Sequence, residues 1–214
     1  MWLYPINLNI AGKPCAVIGG GKVAERKIST LIKSGALVTV FAPKLTATLE
    51  GMLQGRLFKF VGTNYHEGQL CGFFLVICAT DNSEVNVAAA KEAKREGALV
   101  NVVDNPELCD FAVPAQVARG DLVLTISTQG KSPELARRIK EELQQLYGEE
   151  YGLFLEFVAL LREQLKDILP QSKQREQFWQ SQLQQEVLTL LRLGRFLEAE
   201  ERIKNAISRL RTES

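Results

Sequence analysis

Residues 16–27 read AVIGGGKVAERK, an apolar run, three consecutive glycines and then a charged amphipathic stretch. Three glycines between a strand and a helix have two readings: a tight turn with nothing bound, or a phosphate cradle. Gly19-x-Gly21-x-x-Ala24 has the G-x-G-x-x-[GA] spacing of a dinucleotide-binding turn. In that reading Gly19 permits the sharp turn and Gly21 lets the backbone approach a pyrophosphate. Ala24 then lets the helix pack closely on its strand. The helix N-terminus offers unsatisfied N–H groups and a positive dipole end to the phosphates. The pattern is weak alone and gains force from its surroundings.

Those surroundings alternate strand and helix. PCAVI (14–18) is β-rich, and Lys22–Ser34 carries Val23, Ile28, Leu31 and Ile32 on one helical face, with Gly35 as the stop. ALVTVFAP (36–43), LFKFV (57–61), FFLVICAT (73–80) and ALVNVV (98–103) read as further strands. Ser83 is placed to cap a helix Glu84–Glu96 that Gly97 ends. Near-continuous apolar strands separated by helices predict a parallel sheet covered on both faces. After Asp104 the pattern changes. FAVPAQVA (111–118) and DLVLTIST (121–128) read as two strands joined around Arg119-Gly120. Ser132 is a good N-cap, with Pro133 at the first helical position and Glu134 in the first turn. Almost everything beyond is helical: YGLFLEFVALLREQL (151–165), and Gln182–Leu210 with a stripe of Leu188, Leu191, Phe196, Leu197, Ile203 and Ile207. That stripe reads as core or subunit packing. The fold class is α/β, with an N-terminal Rossmann-like parallel sheet (1–112), a small central β/α segment (113–148) and an all-helical C-terminal region (149–214).

Composition narrows the functions. With 46% hydrophobic and 24% charged residues and a net charge of +1, the chain reads as soluble globular material. It lacks the basic excess expected of nucleic-acid binding. MWLYPINLNIAGK is not a secretory signal, and no apolar run approaches the ~18 residues of a membrane span. No membrane association and a cytoplasmic location are the expectations. None of the four cysteines, Cys15, Cys71, Cys78 and Cys109, forms a C-x-x-C pair, and Cys15 and Cys78 read as core. His66, the only histidine, falls in the polar loop Gly62–Gln69. No His/Cys cluster suggests a resident metal.

One expected part is missing. A nicotinamide site usually carries an acid at the end of strand two for the ribose 2′-OH, and here the position reads Phe41-Ala42-Pro43-Lys44. Either backbone at Pro43 and Lys44 holds the ribose or Lys44 receives a 2′-phosphate, so the residues leave NAD against NADP open. Ala79-Thr80-Asp81-Asn82 and Asn101-Val102-Val103-Asp104-Asn105 close two further strands, where this fold places its ligand. Asp81 reads as a turn former. Asp104 reads as a turn former or as a base facing a nicotinamide.

GGGKVAERK (19–27), ATDN (79–82), NVVDNPELCDF (101–111) and ISTQGKSPELARRIKEEL (126–143) together resemble the precorrin-2 dehydrogenase/sirohydrochlorin ferrochelatase family, in its stand-alone form. The same module opens multifunctional siroheme synthases. The resemblance runs in order over residues 1–150, and beyond that only a helical region matches. It implies NAD-dependent dehydrogenation of precorrin-2 to sirohydrochlorin in siroheme biosynthesis, and in some members insertion of Fe2+ as a substrate. It implies cofactor binding by Gly19, Gly20, Gly21, Lys22, Val23, Ala24, Pro43, Lys44 and Thr80. Members lack the ribose acid too, which favours NAD. It implies a role for Asp104 in both activities, and a homodimer formed through the segment that follows it. The tetrapyrrole substrate would lie between the cofactor domain and the ISTQGKSP region, against Thr128, Lys131 and Ser132. Tetrapyrrole carboxylates suit Lys131, the helix start at Pro133, and Arg119, Arg137 and Arg138. Each of these also reads as a solvated charge or plain cap, and Thr128 as a strand end. The alternative is a dinucleotide-sensing, non-enzymatic regulatory module. Such modules typically keep the missing acid and need no ISTxGxSP element. A dehydrogenase acting on a small substrate would leave the basic residues unexplained.

Overall fold

β1 (Pro14–Ile18) lies at the centre of a five-stranded parallel sheet, between β2 (Leu37–Phe41) and β4 (Leu75–Cys78). β3 (Lys59–Val61) and β5 (Leu99–Val102) form the edges, giving the order β3-β2-β1-β4-β5. The computed structural model describes residues 3–213; Met1, Trp2 and Ser214, which end the first and last expected segments, lie outside them. The chain divides into two units, one up to Val113 and one from Pro114 onward.

Period-two alternation distributes the first unit's core. Cys15 and Val17 point to one face of the sheet, Ala16 and Ile18 to the other. α1 (Lys22–Lys33) covers the first face with Ala24, Ile28 and Leu31, which recur at helical spacing. α3 (Ser83–Arg95) covers the second with Ala89, Ala90 and Ala93, small enough to bring the helix close to Val76, Cys78 and Val100. α2 (Ala47–Gln54), which the sequence pattern does not announce, starts at Thr46, whose hydroxyl accepts the Leu49 N–H. The cap of α3 is Asn82, not Ser83: Asn82 is extended, and its side-chain oxygen accepts the Glu84 and Val85 N–H groups at 3.0 and 3.1 Å. Ser83 is already helical, so its hydroxyl cannot take the cap position.

In the second unit β6 (Ala115–Arg119) and β7 (Leu122–Ile126) form an antiparallel hairpin around Gly120. Five helices follow: α4 (Pro133–Leu146), α5 (Glu150–Ile168), α6 (Ser172–Gln182), α7 (Gln185–Arg192) and α8 (Phe196–Glu213). α5 buries Tyr151, Phe154, Val158, Leu161 and Leu165 against α7 and α8. The expected continuous stripe over 182–210 is interrupted at Gly194, whose φ of +68° stops α7 and resets the helical phase. The buried positions are therefore Val187 and Leu191, then Ala199, Ile203 and Ile207, while Leu197 is 73% exposed. Among the described residues no helix is long and apolar enough to cross a membrane.

Candidate cofactor and catalytic site

The three glycines meet different demands. Gly19 has φ +122°, and a Cβ there would run into the Ala79 carbonyl. A Cβ on Gly20 would run into the Lys44 carbonyl and stand 3.0 Å from the Ala42 side chain, while the Gly20 carbonyl accepts the Thr46 N–H at 3.2 Å. The fold itself requires both to be small. At Gly21, the N-cap of α1, a Cβ would meet nothing within 4 Å, and no side chain caps the helix. Glu25 N–H bonds the Gly21 carbonyl, but the N–H groups of Lys22, Val23 and Ala24 have no acceptor among the described residues. Open space in front of an uncapped helix start fits a bound pyrophosphate. Ala24 is buried on the sheet and Lys22 is exposed, paired with Glu25 at 3.2 Å. The Thr46 hydroxyl, and then Lys22, hold the Glu25 carboxyl below its ordinary range. Thr46 thereby ties α1 to the start of α2.

Hydrogen bonds beyond the strands align their carboxyl ends. Gly19 N–H bonds Phe41 O at 2.9 Å, Ala79 N–H bonds Ile18 O at 2.8 Å and Val103 N–H bonds Cys78 O at 2.9 Å. Gly19, Ala79 and Val103 thus stand side by side, one residue past β1, β4 and β5. The chain order reverses between β1 and β4, the crevice where open α/β sheets bind ligands. Pro43 and Lys44 lie exposed after β2, and no acid joins them at the predicted ribose position. Thr80 follows Ala79, with its hydroxyl 2.8 Å from the Asn86 side-chain oxygen.

Asp104 follows Val103 with φ +61°, in a turn that Asn105 N–H closes onto Val102 O at 3.3 Å. The left-handed conformation is one that Asp tolerates better than most residues. The Cys109 thiol underpins the turn, accepting the Val102 N–H at 3.1 Å and lying 3.3 Å from the Val102 and Asn105 carbonyls. The exposed Asp104 carboxylate makes no hydrogen bond or ion pair among the described residues, and so is open to a ligand. Asp110, in the same quoted motif, is committed: it accepts the Val100 N–H at 3.0 Å and pairs with Lys94 at 3.2 Å. Asp81 lies exposed in the bend after β4, and His66 is exposed in its loop. Sequence reasoning overlooked Asn86 and Cys109. Asn86 carried a signal: it falls four residues before Ala90 and seven before Ala93, a polar residue on α3's buried face.

In the second unit the predicted substrate residues are largely engaged with one another. The Thr128 hydroxyl donates to Ser132 O at 3.0 Å and accepts the Ser132 N–H at 3.2 Å. The Ser132 hydroxyl accepts the Leu135 N–H at 3.2 Å. Gln129 and Gly130, with φ of +54° and +77°, complete the loop, and Lys131 N–H bonds Thr128 O at 3.0 Å. The Lys131 side chain is exposed and makes no ion pair among the described residues. Arg119 instead closes the end of α4, donating to Tyr147 O at 2.8 Å and Gln144 O at 3.1 Å. Arg137 pairs with Glu134 and Glu141, and Arg138 with Glu134, along the exposed face of the same helix.

A parallel sheet reversing at β1/β4, with an uncapped glycine turn at that point, defines a dinucleotide-binding protein of the Rossmann class. Residues 6–115 match the family model described as putative NAD(P)-binding. Residues 119–146 match the sirohaem biosynthesis protein central region, and 150–207 the sirohaem synthase dimerisation region. The chain belongs to the siroheme synthase and precorrin-2 dehydrogenase family. It is 41% identical over 185 residues to a siroheme synthase of Methylobacillus flagellatus, covering 86% of this chain and 39% of that one. A siroheme synthase of Methylococcus capsulatus is 36% identical over 196 residues, 92% of this chain and 41% of that one. The chain thus spans about two fifths of the curated relatives it matches. Among solved structures it resembles SirC, a precorrin-2 dehydrogenase, with TM-score 0.76 and 28% identity, covering 93% of this chain and 99% of that one.

Proposed function

We propose that this protein is an NAD-dependent dehydrogenase that converts precorrin-2 to sirohydrochlorin in siroheme biosynthesis. The observation that carries the reading is the shared carboxyl edge of the sheet. There the free N–H groups of Lys22, Val23 and Ala24 and the unpartnered carboxylate of Asp104 stand two strands apart, about 10 Å at ordinary strand spacing. NAD, when bound, supplies the hydride acceptor. The α1 start holds the pyrophosphate, backbone at Pro43 and Lys44 holds the adenine ribose, and Thr80 flanks the cofactor past β4. Dehydrogenation removes a hydride and a proton from the substrate, and Asp104 takes the proton, becoming a neutral carboxylic acid. Substrate carboxylates meet Lys131 and the start of α4, with Thr128 and Ser132 shaping that loop. Metal insertion would strip pyrrole N–H protons and would call on the same Asp104 carboxylate, with Fe2+ as substrate. A cytoplasmic homodimer completes the reading, supported by the match to a dimerisation region and by the exposure of Leu153, Leu160 and Val123.

The test is anaerobic absorbance of the protein with precorrin-2 and NAD, with and without Fe2+. NAD-dependent growth of the sirohydrochlorin spectrum is the expected outcome, and a further shift on adding Fe2+, faster than without protein, would make the enzyme a chelatase too. Asp104→Asn should cut turnover by about 10²–10⁴ while leaving NAD affinity intact. Full turnover in that variant would remove Asp104 from the chemistry. Tight nucleotide binding without any spectral change would favour the regulatory module instead.

A further inference from the structure

We propose that Asn86 is the positioning residue of the cofactor site, holding the Ala79–Thr80 wall against the glycine turn. This rests on the reading that NAD occupies that turn. Asn86 is 6% exposed, on the face of α3 that otherwise presents alanines to the sheet. A buried amide is costly unless it is bonded, and this one directs all its bonds to one residue. Its oxygen accepts the Thr80 N–H at 3.3 Å and the Thr80 hydroxyl at 2.8 Å, and its NH2 donates to the Thr80 carbonyl at 2.9 Å. Asn86 thus pairs with both backbone polar groups of Thr80, as a neighbouring strand would, two residues past the end of β4. Thr80 is locked further by its contacts with Asn82, the cap of the same helix.

The lock matters because of what lies in front of it. The carbonyl of Ala79, one peptide before Thr80, sits so close to Gly19 that no Cβ would fit between them. Without the clasp, Thr80 is free to drift and takes the Ala79 wall with it, so the glycine turn loses its fixed partner. Only an amide serves, because the clasp needs an acceptor and a donor on one planar group. Asn86 touches neither cofactor nor substrate, so its loss should weaken NAD binding and leave the chemical step alone.

The experiment is calorimetric titration of NAD into the full chain carrying Asn86→Ala, Asn86→Leu or Asn86→Asp, with hydrogen exchange at the Thr80 amide measured in the absence of nucleotide. Loss of the paired hydrogen bonds is expected to raise the NAD Kd about tenfold in Asn86→Ala and Asn86→Leu, and about threefold in Asn86→Asp, which keeps the acceptor and loses the donor. The KM for NAD should rise in step, with kcat at saturating NAD within about twofold of the parent. Exchange at Thr80 should accelerate. An unchanged Kd in a folded Asn86 variant, a fall in kcat at constant KM, or unchanged exchange at Thr80 would each overturn the proposal. If Asn86→Ala or Asn86→Leu fails to fold, the isosteric Asn86→Asp decides it. A parent chain that binds no NAD would remove the cofactor reading, and this proposal with it, a failure separable from the others because Thr80 exchange is read without nucleotide.

Discussion

At the start of α1 no side chain caps the helix and three N–H groups have no acceptor among the described residues, whereas at the start of α4 the Ser132 hydroxyl takes the Leu135 N–H and Thr128 clasps Ser132 on both sides. Both segments read in the sequence as anion-binding helix starts. Folding leaves the first unsatisfied and largely satisfies the second. An unsatisfied helix start retains its attraction for an external anion, while a capped one has spent part of it internally. The glycine turn therefore keeps its donors available to an external partner. The Thr128–Ser132 loop is first a piece of folded structure, from which Lys131 extends.

The sharpest way to break this contrast is Gly21→Asp. A Cβ there has open space, so the variant should fold and melt much as the parent does. Its carboxylate would stand within about 4 Å of a phosphate, and at an effective dielectric of about 20 that costs about 4 kcal/mol, close to a thousandfold in NAD affinity. Undiminished NAD binding would sink the glycine-turn reading. Gly20→Ala should act in the opposite sense, because its methyl would meet the Lys44 carbonyl. About 1–3 kcal/mol of stability should be lost as the β2–α2 loop shifts, against less than about 1 kcal/mol for Gly21→Ala. Equal melting temperatures for those two alanine variants would contradict the close packing of Gly20 on the Lys44 carbonyl. Ser132→Ala should have the smallest effect, about 1 kcal/mol of stability from a lost cap, with NAD affinity unchanged. A large rise in the KM for precorrin-2 with no loss of stability would show instead that this hydroxyl faces the substrate.

What the sequence reveals about each site follows from how local its determinants are. The glycine turn, the Ser132 cap and the Pro133 start rest on neighbouring residues, and they stand where spacing placed them. Arg119 reads as a free cation until the end of α4 arrives 25 to 28 residues later and takes its donors. α2 escapes notice because ATLEGMLQ is short, contains Gly51 and has no strong apolar stripe. Asn82 and Ser83 are both good caps by type, and only backbone conformation chooses between them. Gly194 decides the burial of α7 and α8 by breaking a pattern that continues through it in sequence.

By itself the sequence determined the alternation of strands and helices, the glycine spacing, the missing ribose acid and the identity of the residues at each strand end, because these depend on side-chain type and short-range periodicity. Only the tertiary structure decided which glycine faces empty space, which hydroxyls and guanidiniums are already engaged, that Asp104 has no partner among the described residues while Asp110 is committed, and that Asn86 reaches Thr80. Those outcomes depend on which polar groups meet across the fold. A buried donor or acceptor must find its partner wherever the packing brings one, however far away it lies along the chain.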